Sequence, residues 1–207
     1  MIQNVAGIDV GADKKGCNLV VLRGTTVLCS IAGARPEDVV EHCLAYDVIA
    51  VGVDAPGKWR IHGGARQAER EMARSGISCF STPSRENASA NTTGFYSWMF
   101  CGERVYQALA SSYPLLQTAS YSSGRCSFET FPHAITAALS GQGMASAREN
   151  ATQRRLVLET AGIATATLTS IDALDAGLCA LTAAYLLNGR CHVYGNQADG
   201  LIHVPER

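Results

Sequence analysis

Five acidic residues of this chain stand where acids are out of place. Asp9 closes the apolar run VAGIDV at 5–10, and Asp54 takes the same late position in VIAVGVDAP at 48–56. Glu129 lies inside SFETF at 127–131, and Asp172 and Asp175 lie three apart in the apolar stretch SIDALDAGLCAL at 170–181. A bare buried charge is costly, so such a group is paired, protonated or metal-bound. Carboxylates converging on one crevice repel one another unless some stay protonated, and divalent cations remove that conflict. An all-oxygen ligand set suits Mg²⁺ or Mn²⁺ rather than zinc. Two such ions about 4 Å apart can activate water and stabilise the leaving oxygen of a phosphodiester. The chemistry expected is therefore metal-dependent phosphodiester hydrolysis. Asp9, Asp54, Asp172 and Asp175 are the candidate metal ligands, and Glu129 is a further ligand or base.

Each acid also has a structural reading. Asp9 could cap a turn with Gly11, and Asp54 could be an ordinary acid at a strand exit. Glu129 could pair with an arginine such as Arg125. Asp172 could be an acid favoured by a helix N-terminus, with Thr169 or Ser170 as the cap. Asp175 lies deeper in an apolar face and is harder to explain in that way.

The elements that must carry these residues can be read from the pattern. Residues 4–10, 17–23 and 26–32 read as three neighbouring antiparallel strands, the last two joined at Gly24-Thr25. Pro36, with Glu37 and Asp38 beside it, opens a helix to about Tyr46. Residues 48–54 form a continuous β-branched run, the mark of a buried parallel strand. A loop at 55–65 leads to a helix at 66–76, stopped by Gly76, and then to an irregular insertion at about 78–97. Helices are expected at 98–110, 147–162 and 170–188, a short strand at 127–134, and a terminal hairpin within 192–204 turning at Asp199-Gly200. The sum is a single α/β domain over 1–207, a mixed five-stranded sheet with helices on both faces. Right-handed crossovers then let the first and fourth strands lie side by side, with Asp9 and Asp54 facing one crevice at their carboxyl ends.

Composition narrows the partners. Net charge is −1, charged residues are 17% and apolar residues 47%, which gives a globular chain without the basic excess of a non-specific nucleic-acid binder. Any nucleic-acid contact must rest on a local patch. Six of the 17 basic residues fall within 58–85, and Arg66, Arg70 and Arg74, spaced by four, are the candidate substrate-binding residues. Tyr96, Trp98 and Phe100 could stack on bases, although such clusters are more often packing. His133 could shuttle protons. The eight cysteines form no C-x-x-C pair and several lie in apolar runs, so reduced core thiols in a cytoplasmic protein are expected, with no leader and no membrane span.

The opening GIDVGADKKGCNLVVL followed by VGVDAP resembles the ribonuclease-H-like superfamily, and the spaced pair Asp172/Asp175 resembles the ending of its Holliday-junction-resolvase branch. The ordered segments RQAERE (66–71), STPSR (81–85), FETFPHA (128–134), DALDAGLCALTA (172–183) and DGLIHVP (199–205) resemble the domain-of-unknown-function 429 family. That family is described as predicted nucleases of ribonuclease-H-like fold. The resemblance covers nearly the whole chain and implies a ribonuclease-H-like fold, the acid cluster above as its site, and a possible homodimer. Two rivals stand beside the nuclease reading. One is a nucleotide-binding or phosphotransfer module of the actin and sugar-kinase superfold, suggested by Asp9-Val10-Gly11. The other is a non-catalytic interaction protein without metal affinity.

Overall fold

The computed structural model describes residues 2–141 and 150–207. The chain opens with β1 (Asn4–Val10), β2 (Cys17–Arg23) and β3 (Thr26–Ala34), an antiparallel meander. Helix α1 (Pro36–Ala45) crosses to β4 (Val48–Asp54), which pairs parallel with β1. Helices α2 (Gln67–Arg74), α3 (Arg85–Ser89) and α4 (Ser97–Leu109) come before β5 (Cys126–Glu129), which is parallel to β4. Helices α5 (Pro132–Ser140), α6 (Asn150–Thr160) and α7 (Ile171–Leu187) follow, and the hairpin β6 (Cys191–Asn196) and β7 (Gly200–Pro205) ends the chain.

These strands form one mixed sheet in the order β3-β2-β1-β4-β5-β7-β6. The expected five strands are contiguous in it, but the sheet has seven. The terminal hairpin does not stand apart, because β7 joins β5 in parallel at Glu129–Ile202 and carries β6 with it. The strand expected to run on to residue 134 stops at Glu129, and Pro132 instead occupies the first turn of α5. Proline there gives up no helical hydrogen bond, because the first N–H groups of a helix have no partner within it. The segment at 78–97 contains the short helix α3, capped by Ser84, whose hydroxyl accepts from Asn87 N. The helix expected from 147 is described from Asn150 onward, and its first three residues lie outside the described residues.

Alternation along the buried strands sends successive side chains to opposite faces. Val5 and Ala50 pack with Phe128 against α6 and α7, while Ala6, Ile8, Val51 and Val53 pack against α1 and α4. The α7 face is unusually tight. A Cβ on Gly7 would lie 2.0 Å from Ala176 O and 2.2 Å from Ala180 N, and one on Gly52 would lie 2.5 Å from Cys179 O. Glycine at these two positions lets α7 lie directly on the sheet backbone, and this close approach brings the first turns of α7 down to the strand ends.

Candidate active site

Asp9 and Asp54 are paired in register on the parallel strands β1 and β4. Each follows its glycine by two positions, Gly7-Ile8-Asp9 and Gly52-Val53-Asp54, so both carboxylates project from the face that α7 covers. Ser170 caps α7 by accepting from Ala173 N at 3.1 Å, which sets Asp172 in the first turn and Asp175 one turn in. Two β-strand ends and one helix start thus lie near one another, and Asp9 and Asp54 end neighbouring strands side by side.

The electrostatics reflect that proximity. Burial, and then the Asp172 carboxylate, push the Asp9 pKa up to about 6, against a smaller lowering by Lys15 and Arg154. Burial, and then Asp9 and Asp175, hold Asp54 well above the usual carboxylate range. Burial raises Asp175 to about 7, although the Arg154 guanidinium beside it pulls the other way. Two cations partly compensate. Lys15, from the β1–β2 turn, donates to Asp172 at 2.9 Å, and Arg154 of α6 forms an ion pair with Asp175. Neither cation was singled out from the sequence. Lys15 carried a local signal, since it lies six residues after Asp9 in a short Gly11–Gly16 turn. Arg154 carried none, because its partner comes from a different helix.

Glu129 sits at the carboxyl end of β5, beside β4, but both of its oxygens are engaged. Oε2 accepts from Arg66 Nη1 at 2.8 Å and from Gly57 N at 2.8 Å, and Oε1 accepts from Arg66 Nη2 at 2.5 Å. Arg66 also donates through Nε to Glu69 at 2.8 Å. The arginine pairing considered for Glu129 is thus present with Arg66, while Arg125 binds Asp47 at 2.6 Å. Arg66 is 2% exposed and caps α2, whereas Arg70 and Arg74 are exposed. The three arginines therefore do not share one open face. A four-residue spacing aligns positions along a helix, but Arg66 precedes the helix and turns inward. His133 is half-buried, and burial followed by Arg154 lowers its pKa.

The donor chemistry fits a hard divalent cation. Burial first, and neighbouring carboxylates second, raise the pKa of Asp9 and Asp54, burial raises that of Asp175, and all three present only oxygen donors. As the side chains stand, no three acidic, histidine or cysteine groups among the described residues converge to hold a metal ion. Lys15 and Arg154 are the cations on the α7 acids in this arrangement.

Fold and geometry together define a mixed α/β protein with a group of acids at the carboxyl ends of its central parallel strands. The chain belongs to the family described as protein of unknown function (DUF429), whose model matches residues 7–199. No curated protein matches the chain. It is similar to the Thermus thermophilus RuvC structure, with 19% identity over 90% of this chain and 97% of that one and a TM-score of 0.47. It is likewise similar to T. thermophilus RuvC in complex with a Holliday junction substrate, with 20% identity over 86% and 92% and a TM-score of 0.46. Among the described residues no helix is long and apolar enough to cross a membrane.

Proposed function

We propose that this chain is a metal-dependent nuclease of ribonuclease-H-like fold that hydrolyses phosphodiesters at the Asp9/Asp54 pair. The observation that carries the reading is the in-register pair Asp9 and Asp54 on the face covered by α7, with Asp175 near enough to couple electrostatically to both. Mg²⁺ or Mn²⁺ held there would supply charge neutralisation and an activated water.

The residues of the chain have separable roles. Asp9 and Asp54 would be the central ligands, because the backbone register sets them side by side without an ion. Asp175 and Asp172, now paired with Arg154 and Lys15, would complete the ligand set, and the two cations would be free to pair with the substrate phosphate instead. The Arg66–Glu129 pair positions Asp54 by tying the 57–66 loop to β5, and Arg70 and Arg74 give α2 an exposed basic edge for phosphates.

The test is cleavage of labelled single-stranded, duplex and branched DNA and RNA with Mn²⁺ or Mg²⁺ and with chelator. Metal-dependent cleavage that Asp9→Asn and Asp54→Asn each reduce at least about a hundredfold is expected, the scale of losing a central electrostatic group. Cleavage that survives both substitutions would refute the assignment.

A further inference from the structure

Beside the acids lies a feature that the hydrolytic reading leaves unused. A small cleft of about 60 Å³, open to solvent, is lined by Asp54 and Pro56 at one side and by Phe80, Trp98 and Phe131 at the other. That space is too small to enclose a ligand, so what the cleft offers is its exposed rim. Phe80 and Trp98 line it, and Phe95 and Tyr96 extend the aromatic surface beyond it. The Phe80 ring lies 5.5 Å from Phe95, 6.1 Å from Tyr96 and 6.4 Å from Trp98, and Phe95 lies 5.1 Å from Tyr96. Phe80 and Phe95 are 43% and 56% exposed, whereas Phe128 is fully buried. Neighbouring phenylalanines left in water form an apolar patch of the kind that marks a binding surface.

The wall is anchored. Thr82 N donates to Glu69 Oε1 at 2.9 Å, which ties the segment after Phe80 to the Arg66–Glu129 network beside Asp54. Arg60 donates through Nε to Thr82 O at 3.2 Å and through its backbone N to Pro83 O at 3.2 Å, so a guanidinium is held at the rim.

We propose that this wall receives an unpaired nucleobase of the substrate strand, stacked on Phe80 and Phe95 while the adjoining phosphate lies at Asp9 and Asp54. The inference rests on the hydrolytic reading and deepens it by naming the substrate class, single-stranded or locally unpaired nucleic acid. Continuity favours the strand over a protein partner. Asp54 and Phe80 border the same small cleft, so the aromatic surface and one of the two acids share an opening to solvent. A base within a duplex keeps its faces covered by its neighbours, while an unpaired base offers them to aromatic side chains whatever its sequence.

The experiment is fluorescence anisotropy with a labelled single-stranded oligothymidylate and a labelled duplex of the same length, in chelator so that nothing is cut. The proteins are the wild type, Phe80→Leu, Phe95→Leu and the double variant. Leucine keeps the apolar bulk and removes the π face, and thermal melting checks that each variant folds. Single-strand affinity should fall about fivefold or more per ring while duplex affinity stays unchanged. Unchanged single-strand affinity in the double variant would overturn the inference. Equal losses on single strand and duplex, or a wild type that binds no strand, would overturn it as well. Failure of the hydrolytic reading shows separately, as absent metal-dependent cleavage in a protein whose single-strand preference still depends on Phe80 and Phe95.

Discussion

Asp9 on β1 and Asp54 on β4 stand side by side in parallel register, and both are driven above the ordinary carboxylate range by burial and by the acids around them. The pair is maintained against electrostatic preference, which is characteristic of functional sites. Its effect on stability can be measured directly.

Without metal, Asp9→Asn should stabilise the protein, and the gain should depend on pH. An acid whose folded pKa is raised binds more protons folded than unfolded, so its charge destabilises the fold as pH rises from the ordinary value of 3.8 through about 6. The difference between variant and wild type should therefore be near zero at about pH 4, grow through pH 6 and level off above it, reaching about 1–3 kcal/mol at most. Urea unfolding of both proteins in chelator across that range measures it. Taking the difference removes His203, whose burial lowers its pKa to about 4 and which gives the opposite slope in both proteins.

Gly7→Ala should be among the most damaging single substitutions, because its Cβ would meet backbone of α7 at 2.0 and 2.2 Å. The helix must lift, and a destabilisation of about 3 kcal/mol or more is expected, beyond the usual range for overpacking. Gly64→Ala is the control, since nothing lies within 4 Å of its Cβ, and it should stay within about 0.5 kcal/mol of wild type. Thermal denaturation of the two variants tests the contrast.

Arg66→Met should destabilise by about 3–5 kcal/mol, because it leaves Glu129 and Glu69 buried without their cation. Arg70→Ala and Arg74→Ala, on the exposed side of α2, should leave stability nearly unchanged. Each should instead lower the salt dependence of nucleic-acid binding by about one unit of slope. Chemical denaturation and a salt titration of binding separate the buried arginine from the exposed ones.

Much of this arrangement was legible in the residues themselves. Apolar runs ending in Asp9 and Asp54 gave two buried strands and predicted that their acids meet, and the three-residue spacing of Asp172 and Asp175 put both near the start of one helix. The repeated Gly-x-Asp triplet was a further signal, since the glycine explains how α7 reaches the acids. The reach of long side chains was not legible. Arg66 reads as part of a basic helical stripe, yet it folds inward to Glu129 across 63 residues, and Arg154 meets Asp175 only because α6 packs beside α7. The extension from five strands to seven was hidden for a similar reason, because a hairpin signal is local and does not reveal which edge strand it will join.

The central claim is that Asp9 and Asp54 form one divalent-cation site. Isothermal titration calorimetry of Mn²⁺ into the wild type, Asp9→Asn and Asp54→Asn, each with a single-stranded oligonucleotide carrying non-hydrolysable linkages, tests it most directly. The account predicts Mn²⁺ binding by the wild type that either substitution abolishes. Absence of binding in the wild type, or binding that both variants retain, would contradict it.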